Sequence, residues 1–289
     1  MLSIIENNLN LNLNQMNDIL NNRENYFPPE LYKYREINNN KKENEKHKHI
    51  DALKNEKVYL SKPDYFNDPY DSLFSINREK MRENIVKKLK EQIVQKELNK
   101  NNIDIPKIEN LELLHENINI KDSNIISDLI ENNPEVFYTA LKNQIKFKVS
   151  CFSEIPDSIL MWSHYSNHHK GFCIGYDTSK IEKKIKKEFY PVFYHETFFP
   201  FVKTDEDIKT GKFNSLIKYK DWQYEKEWRL ILNEDFVKLK PSKIYLGVKF
   251  DEDKYLDCFK EIASELNCKL YKMKMDYSEY KLNEIEIKI

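Results

Sequence analysis

Glu225, Glu227 and Arg229 alternate along KYKDWQYEKEWRLIL, residues 218–232. If that stretch is a strand, the three side chains share one face, with the glutamate Cβ atoms about 6.5 to 7 Å apart, while Tyr224, Trp228, Leu230 and Leu232 turn inward. Such a pair can divide roles, one carboxylate orienting or deprotonating a group and the other stabilising a developing cation. Arg229 could hold a phosphate or neutralise its neighbours. The alternative is an exposed ladder of salt bridges. Two of the chain's three tryptophans, Trp222 and Trp228, flank the pair and favour a dry wall beside a charged site.

A second chemistry-bearing stretch is SCFSEIPDSILMWSHYSNHHKGFCIGYD, residues 150–177. His164 and His168 stand one helical turn apart, but Asn167 and Gly171 end the helix, and Cys151 and Cys173 lack spaced partners for a zinc site. No metal is expected. Trp162, His164 and Tyr165 are instead expected to border a pocket, His164 as a hydrogen-bonding group. In KPDYFNDPYD, residues 62–71, Asp68 and Asp71 fit a rigid Asx-turn loop or, alternatively, ligands for a cation or ribose.

The elements that must carry these groups read as α+β. Pro156, Asp157 and Ser158 open a short helix between a strand ending near Ser153 and another carrying Phe172, Ile174 and Tyr176. The opposite side of that second strand, Gly171, Cys173 and Gly175, is nearly bare, which suggests close packing or a ligand. Before it come the strand Leu31–Glu36, a helix over 49–54 and a strand over 58–61. Residues 77–145 read as a helical insertion, Met81, Ile85, Leu89 and Ile93 giving one amphipathic face. Strands at 189–194 and 243–250, a helix at 253–266, and strands at 268–275 and 282–289 close the chain. Residues 1–27 form an Asn-rich arm, peripheral or partly disordered, and 28–289 a single domain.

Composition excludes several classes. With 47 basic and 48 acidic residues the formal charge is −1, so no global field attracts nucleic acid or an anionic membrane. Neither GxGxxG nor GxxxxGK[ST] occurs, which removes the usual case for a Rossmann site or a P-loop. Four unpaired-looking cysteines and no long apolar span point to a cytoplasmic chain with reduced thiols.

At FNDPYD, MWSHYSNHHKGFCIGYD and WQYEKEWRLIL, together with LYKYRE and LKNEKVYLS, the sequence resembles a bacterial family known only as a domain of unknown function, number twenty-nine seventy-one in its series. A more distant likeness is to ADP-ribosyltransferase-like folds, which open with an aromatic strand, a helix and a Tyr-x-Ser strand and later present a catalytic glutamate. That resemblance implies a mixed, mostly antiparallel sheet, NAD as co-substrate and a setting in toxin action or phage defence. It carries Tyr34 or Arg35 to the first-strand position that holds NAD, and Tyr59 and Ser61 to the second. Glu227 becomes the glutamate that steadies the ribosyl cation, and Glu225 the one that orients the acceptor. The alternative is a noncatalytic module that binds a nucleotide, nucleic acid or protein, with the helical insertion as its interface.

Overall fold

A computed structural model describes residues 10–37, 48–71, 147–197 and 212–289. All of them belong to one unit of the chain, residues 1–73, 145–198 and 203–289; the second, 74–144 with 199–202, lies outside the described residues, as does the whole of the expected helical insertion at 77–145.

The described elements run α1 (Leu13–Asn21), β1 (Glu30–Arg35), α2 (Lys48–Lys54), β2 (Lys57–Tyr59), β3 (Lys148–Ser153), α3 (Ile159–Tyr165), β4 (Phe172–Asp177), α4 (Lys183–Lys186), β5 (Phe189–Pro191), β6 (Phe193–His195), β7 (Ile217–Tyr219), β8 (Glu227–Leu232), β9 (Phe236–Lys238), β10 (Lys243–Leu246), α5 (Glu252–Leu266), β11 (Lys269–Met275) and β12 (Leu282–Ile287). Eight strands form one sheet in the order β12-β11-β10-β4-β1-β3-β8-β5. Its pairings are antiparallel except β10 with β11, which α5 connects as a crossover. The architecture is therefore α+β with a mixed, mostly antiparallel sheet.

Period-two alternation gives that sheet two apolar faces. On one, Leu31, Ile174, Tyr176, Phe152, Trp228 and Leu230 pack with Ile50 and Leu53 of α2 and with Phe259 and Ile262 of α5. On the other, Tyr32, Tyr34, Cys173 and Tyr245 pack with Met161 and Trp162 of α3. The bare side of β4 is occupied by protein. A Cβ on Gly175 would lie 3.3 Å from both the Tyr32 ring and the Lys243 Cβ, and one on Gly171 would lie 2.1 Å from the Arg35 carbonyl oxygen.

The structure departs from the sequence reading in three places. Residues 10–27 are not a loose arm throughout: Asn12 caps α1 with its side chain, and Met16 is fully buried. The stretch 189–194 is two strands, because Val192 leaves β5 to let β6 pair in parallel with β7. The stretch 218–232 is not one strand either. A 3-10 turn, Lys220–Glu225, interrupts it, and Lys226 then takes a left-handed backbone conformation at φ 44° before β8 begins.

Candidate functional site

That left-handed residue corrects the expectation that Glu225 and Glu227 stand on one strand. Glu225 ends the 3-10 turn and Glu227 opens β8, yet both carboxylates turn to the same amine, Lys218 of β7. Lys218 Nζ lies 2.5 Å from Glu225 Oε2, 3.0 Å from Glu227 Oε2 and 3.6 Å from Asp71 Oδ2. Ser153 fixes the turn by donating its hydroxyl to the Glu225 carbonyl at 2.6 Å, and the Glu227 N–H donates to Tyr194 Oη at 3.0 Å.

Arg229 completes the cluster, wholly buried on the same face of β8 as Glu227. Its Nη1 and Nη2 donate to the two Asp71 oxygens at 2.8 and 2.7 Å, a bidentate fork, and Nε donates to Glu227 Oε1 at 2.7 Å. Another Nη1 bond goes to the Ser215 carbonyl. Asp71 arrives on the turn-rich loop, where Asp68 Oδ1 accepts the Tyr70 N–H at 2.8 Å as an Asx turn. An exposed ladder is thereby excluded: Asp71, Lys218, Glu225, Glu227 and Arg229 are all buried.

Among the described residues, three carboxylates face two cations, and the geometry sets the three carboxyls apart. Burial would raise Glu227, but Arg229 and Lys218 outweigh it and hold that carboxyl well below the ordinary range. At Glu225 burial wins, helped by the Glu227 charge, and its carboxyl rises to about 7 despite Lys218. Burial thus sets Glu225 apart from Glu227, one carboxyl raised and the other lowered. Burial opposes the Lys218 charge as well, yet Glu227, Glu225 and Asp71 together keep its ammonium form strongly favoured.

Glu225 is also the cluster's link to the surface. Ser158 caps α3, and the helix carries Tyr165 round so that its hydroxyl donates to Glu225 Oε1 at 2.6 Å, with Asn67 Nδ2 3.4 Å from the same hydroxyl. One residue earlier, exposed His164 has Nδ1 2.9 Å from Tyr224 Oη, and its ring lies 6.3 Å from that of Trp222. Lys218 Nζ sits 4.9 Å from the Trp222 ring, beneath this aromatic group.

Tyr165, Glu225, Glu227 and Arg229 are thus brought together, with His164 beside them. The other expected site residues make their contacts elsewhere. Trp162 is fully buried, its Nε1 donating to the Pro156 carbonyl at 2.7 Å, and Tyr34 packs edge-on against it while donating to the Ile155 carbonyl at 2.8 Å. Tyr59 lies half exposed against Phe236, and Ser61 bridges Val149 of β3. Arg35 ends β1 on the side of the sheet away from Glu227. Lys218 was missed: with Lys220 it alternates with Ile217 and Tyr219 as a solvated row would, and nothing in that spacing marks it as buried. Asp71 was weighed without its partner. Among the described residues, no group of three or more His, Cys, Asp or Glu side chains is arranged to hold a metal ion, all four cysteines are free, and no helix is long and apolar enough to cross a membrane.

Residues 161–230 match the family model described as "Protein of unknown function (DUF2971)", the family that the three motifs resemble. That span takes in most of α3, all of β4, the turn that ends at Glu225 and the start of β8 with Glu227. No curated protein and no solved structure matches the chain.

Proposed function

We propose that the cluster is the reacting end of an ADP-ribosyltransferase-like glycosyl transferase that uses NAD as co-substrate, acting in the cytoplasm as a toxin or phage-defence effector. The observation that carries this reading is Glu225: a carboxyl balanced near neutrality that touches Tyr165 and lies one residue from the aromatic group of His164, Trp222 and Tyr224. In such a transfer the ribosyl–nicotinamide bond breaks with its electron pair leaving on nicotinamide, and the acceptor's lone pair forms the new bond. Glu225 would accept the acceptor's proton, for which a carboxyl near 7 is well matched. Glu227, held negative by Arg229 and Lys218, would supply fixed charge facing the cationic sugar. Tyr165 would orient Glu225.

The complete pairing of Arg229 and Glu227 favours a second reading, a noncatalytic binding module in which the cluster is only a rigid base. Nicotinamide release from NAD separates the two. The full chain, incubated with NAD and cell extract, is expected to release nicotinamide at a rate that rises with pH through about 7, and Glu225→Gln is expected to lower that rate roughly 100-fold or more. Equal release by the variant, or none with any extract, would leave the binding module.

A further inference from the structure

β2 and β9 form a two-stranded ribbon of their own, tied to β3 where Ser61 bridges Val149. Their antiparallel register sets Lys57 opposite Lys238, Val58 opposite Val237 and Tyr59 opposite Phe236. Alternation therefore gives the ribbon two faces. Val58 and Val237 turn inward to the core that α2 also joins, and Lys57, Tyr59, Phe236 and Lys238 make up the outer face.

That outer face brings rings and cations together. Tyr59 and Phe236 stand side by side, ring centroids 5.8 Å apart and planes tilted by 56°, and they are 50% and 40% exposed. Lys57 reaches across to Phe236, its Nζ 4.5 Å from the ring centroid, and Lys238 opposite it is exposed. Neither ammonium is in an ion pair among the described residues, and the neighbouring Asp235 carboxylate goes to Lys148. Like charges directly opposite one another weaken a strand pair, and an exposed cation over a ring keeps its charge. The ribbon thus presents two uncancelled positive charges beside two flat apolar surfaces.

These are the two halves of single-strand recognition, in which ring faces stack on bases whatever their identity and cations track the phosphates. A chain of near-zero net charge needs such a local patch to hold a polyanion. We propose that the outer face of β2 and β9 binds single-stranded nucleic acid, Tyr59 and Phe236 stacking on bases while Lys57 and Lys238 meet phosphates. Tyr59, which the resemblance set at an NAD position, takes a different ligand here. The face uses no residue of the charged cluster and binds its strand whether or not the chain turns over NAD.

Fluorescence anisotropy of the full chain with labelled oligo-dT and oligo-U of about 12 nucleotides, across a series of salt concentrations, tests this. The wild type is expected to bind at least one of the single strands more tightly than a duplex of equal length, with affinity falling as salt rises. Lys57→Gln with Lys238→Gln is expected to lower the log–log salt slope by about 1.4, the share of two phosphate contacts on a single strand. Tyr59→Leu with Phe236→Leu keeps apolar bulk without a flat ring, and is expected to weaken binding about fivefold or more at unchanged salt slope. All four side chains lie on the outer face, so both variants are expected to melt with the wild type; the lysine variant decides alone if the other does not fold. No binding by the wild type, equal binding of the duplex, displacement by polyglutamate as effective as by unlabelled oligonucleotide, or wild-type affinity and salt slope in both variants would each overturn the proposal.

Discussion

The two sides of the sheet treat buried charge in opposite ways. On the α3 side, Asp71, Lys218, Glu225, Glu227 and Arg229 answer one another at hydrogen-bonding distance, with the Glu225 carboxyl raised to about 7 by burial and the Glu227 charge. On the α2 side, the buried Lys33 ammonium meets only the Cys151 carbonyl and the Phe152 ring, and the Ser150 hydroxyl has no hydrogen-bond partner. Burial of ions is tolerated when they are paired and is costly when they are not. The paired set therefore explains its own presence, whereas Lys33 relies on a carbonyl and a ring face in place of a carboxylate. The first is built to hold a proton equilibrium in place, and the second keeps a single amine within an apolar layer.

The comparison breaks most violently at Arg229. Replacing it with Met would leave Asp71 and Glu227 buried without their shared guanidinium, and loss of one partner of a buried ion pair costs about 3 to 5 kcal/mol. Chemical denaturation should register that loss. The double variant Asp71→Leu, Arg229→Met should recover much of it, since an apolar replacement of both partners is often near neutral. A double variant worse than the sum of the singles would mean that the fork holds the loop in place rather than merely balancing charge.

A smaller effect sharpens the account of where the cluster keeps its proton. Burial first, and then Glu227, raise Glu225 in the folded state to about 7, above its ordinary 4.5. Between those values the folded protein holds a proton that the unfolded chain has lost, so stability contributed by this group falls as pH rises through that window and is level above it. Glu227 works the other way. Its depressed carboxyl contributes stability that is present above the ordinary carboxylate range and lost only in stronger acid. Melting temperatures of wild type and Glu225→Gln across pH 4.5 to 8 should therefore diverge, with the wild type losing ground as pH rises. Parallel curves would place the shared proton elsewhere.

Much of the scaffold was legible because alternation and capping are local. The Ser158 cap, the apolar rows of β1 and β4, and the stripe of α5 all follow from residues near in sequence. Carboxylates at 225 and 227 were visible for the same reason, but their conformation was not. Lys226 in the left-handed region is a choice that no side-chain pattern announces, and alternation alone carried the strand through it. The convergence of Asp71, Lys218 and Arg229 depends on a loop, β7 and β8 meeting in space, which spacing cannot express. Nor could it place β1, whose Lys33 and Arg35 alternate with Tyr32 and Tyr34, in the interior of the sheet between β4 and β3.

The smallest effect concerns the boundary between the cluster and the surface. Tyr165→Phe removes a single hydroxyl, the one that donates to Glu225 Oε1 at 2.6 Å, and a net hydrogen bond of this kind contributes about 0.5 to 1.5 kcal/mol. Its direction is more informative than its size. That bond favours the ionised form of Glu225, so losing it should move the carboxyl's midpoint upward from about 7, as read by carbon-13 titration of labelled glutamate. His164→Ala, which touches Tyr224 and not the carboxylate, should leave the midpoint where it is. If both variants shift it alike, the aromatic group acts as one hydrated lid over Glu225. If only the Tyr165 variant does, Tyr165 is the contact through which the buried cluster responds to whatever occupies the surface above it.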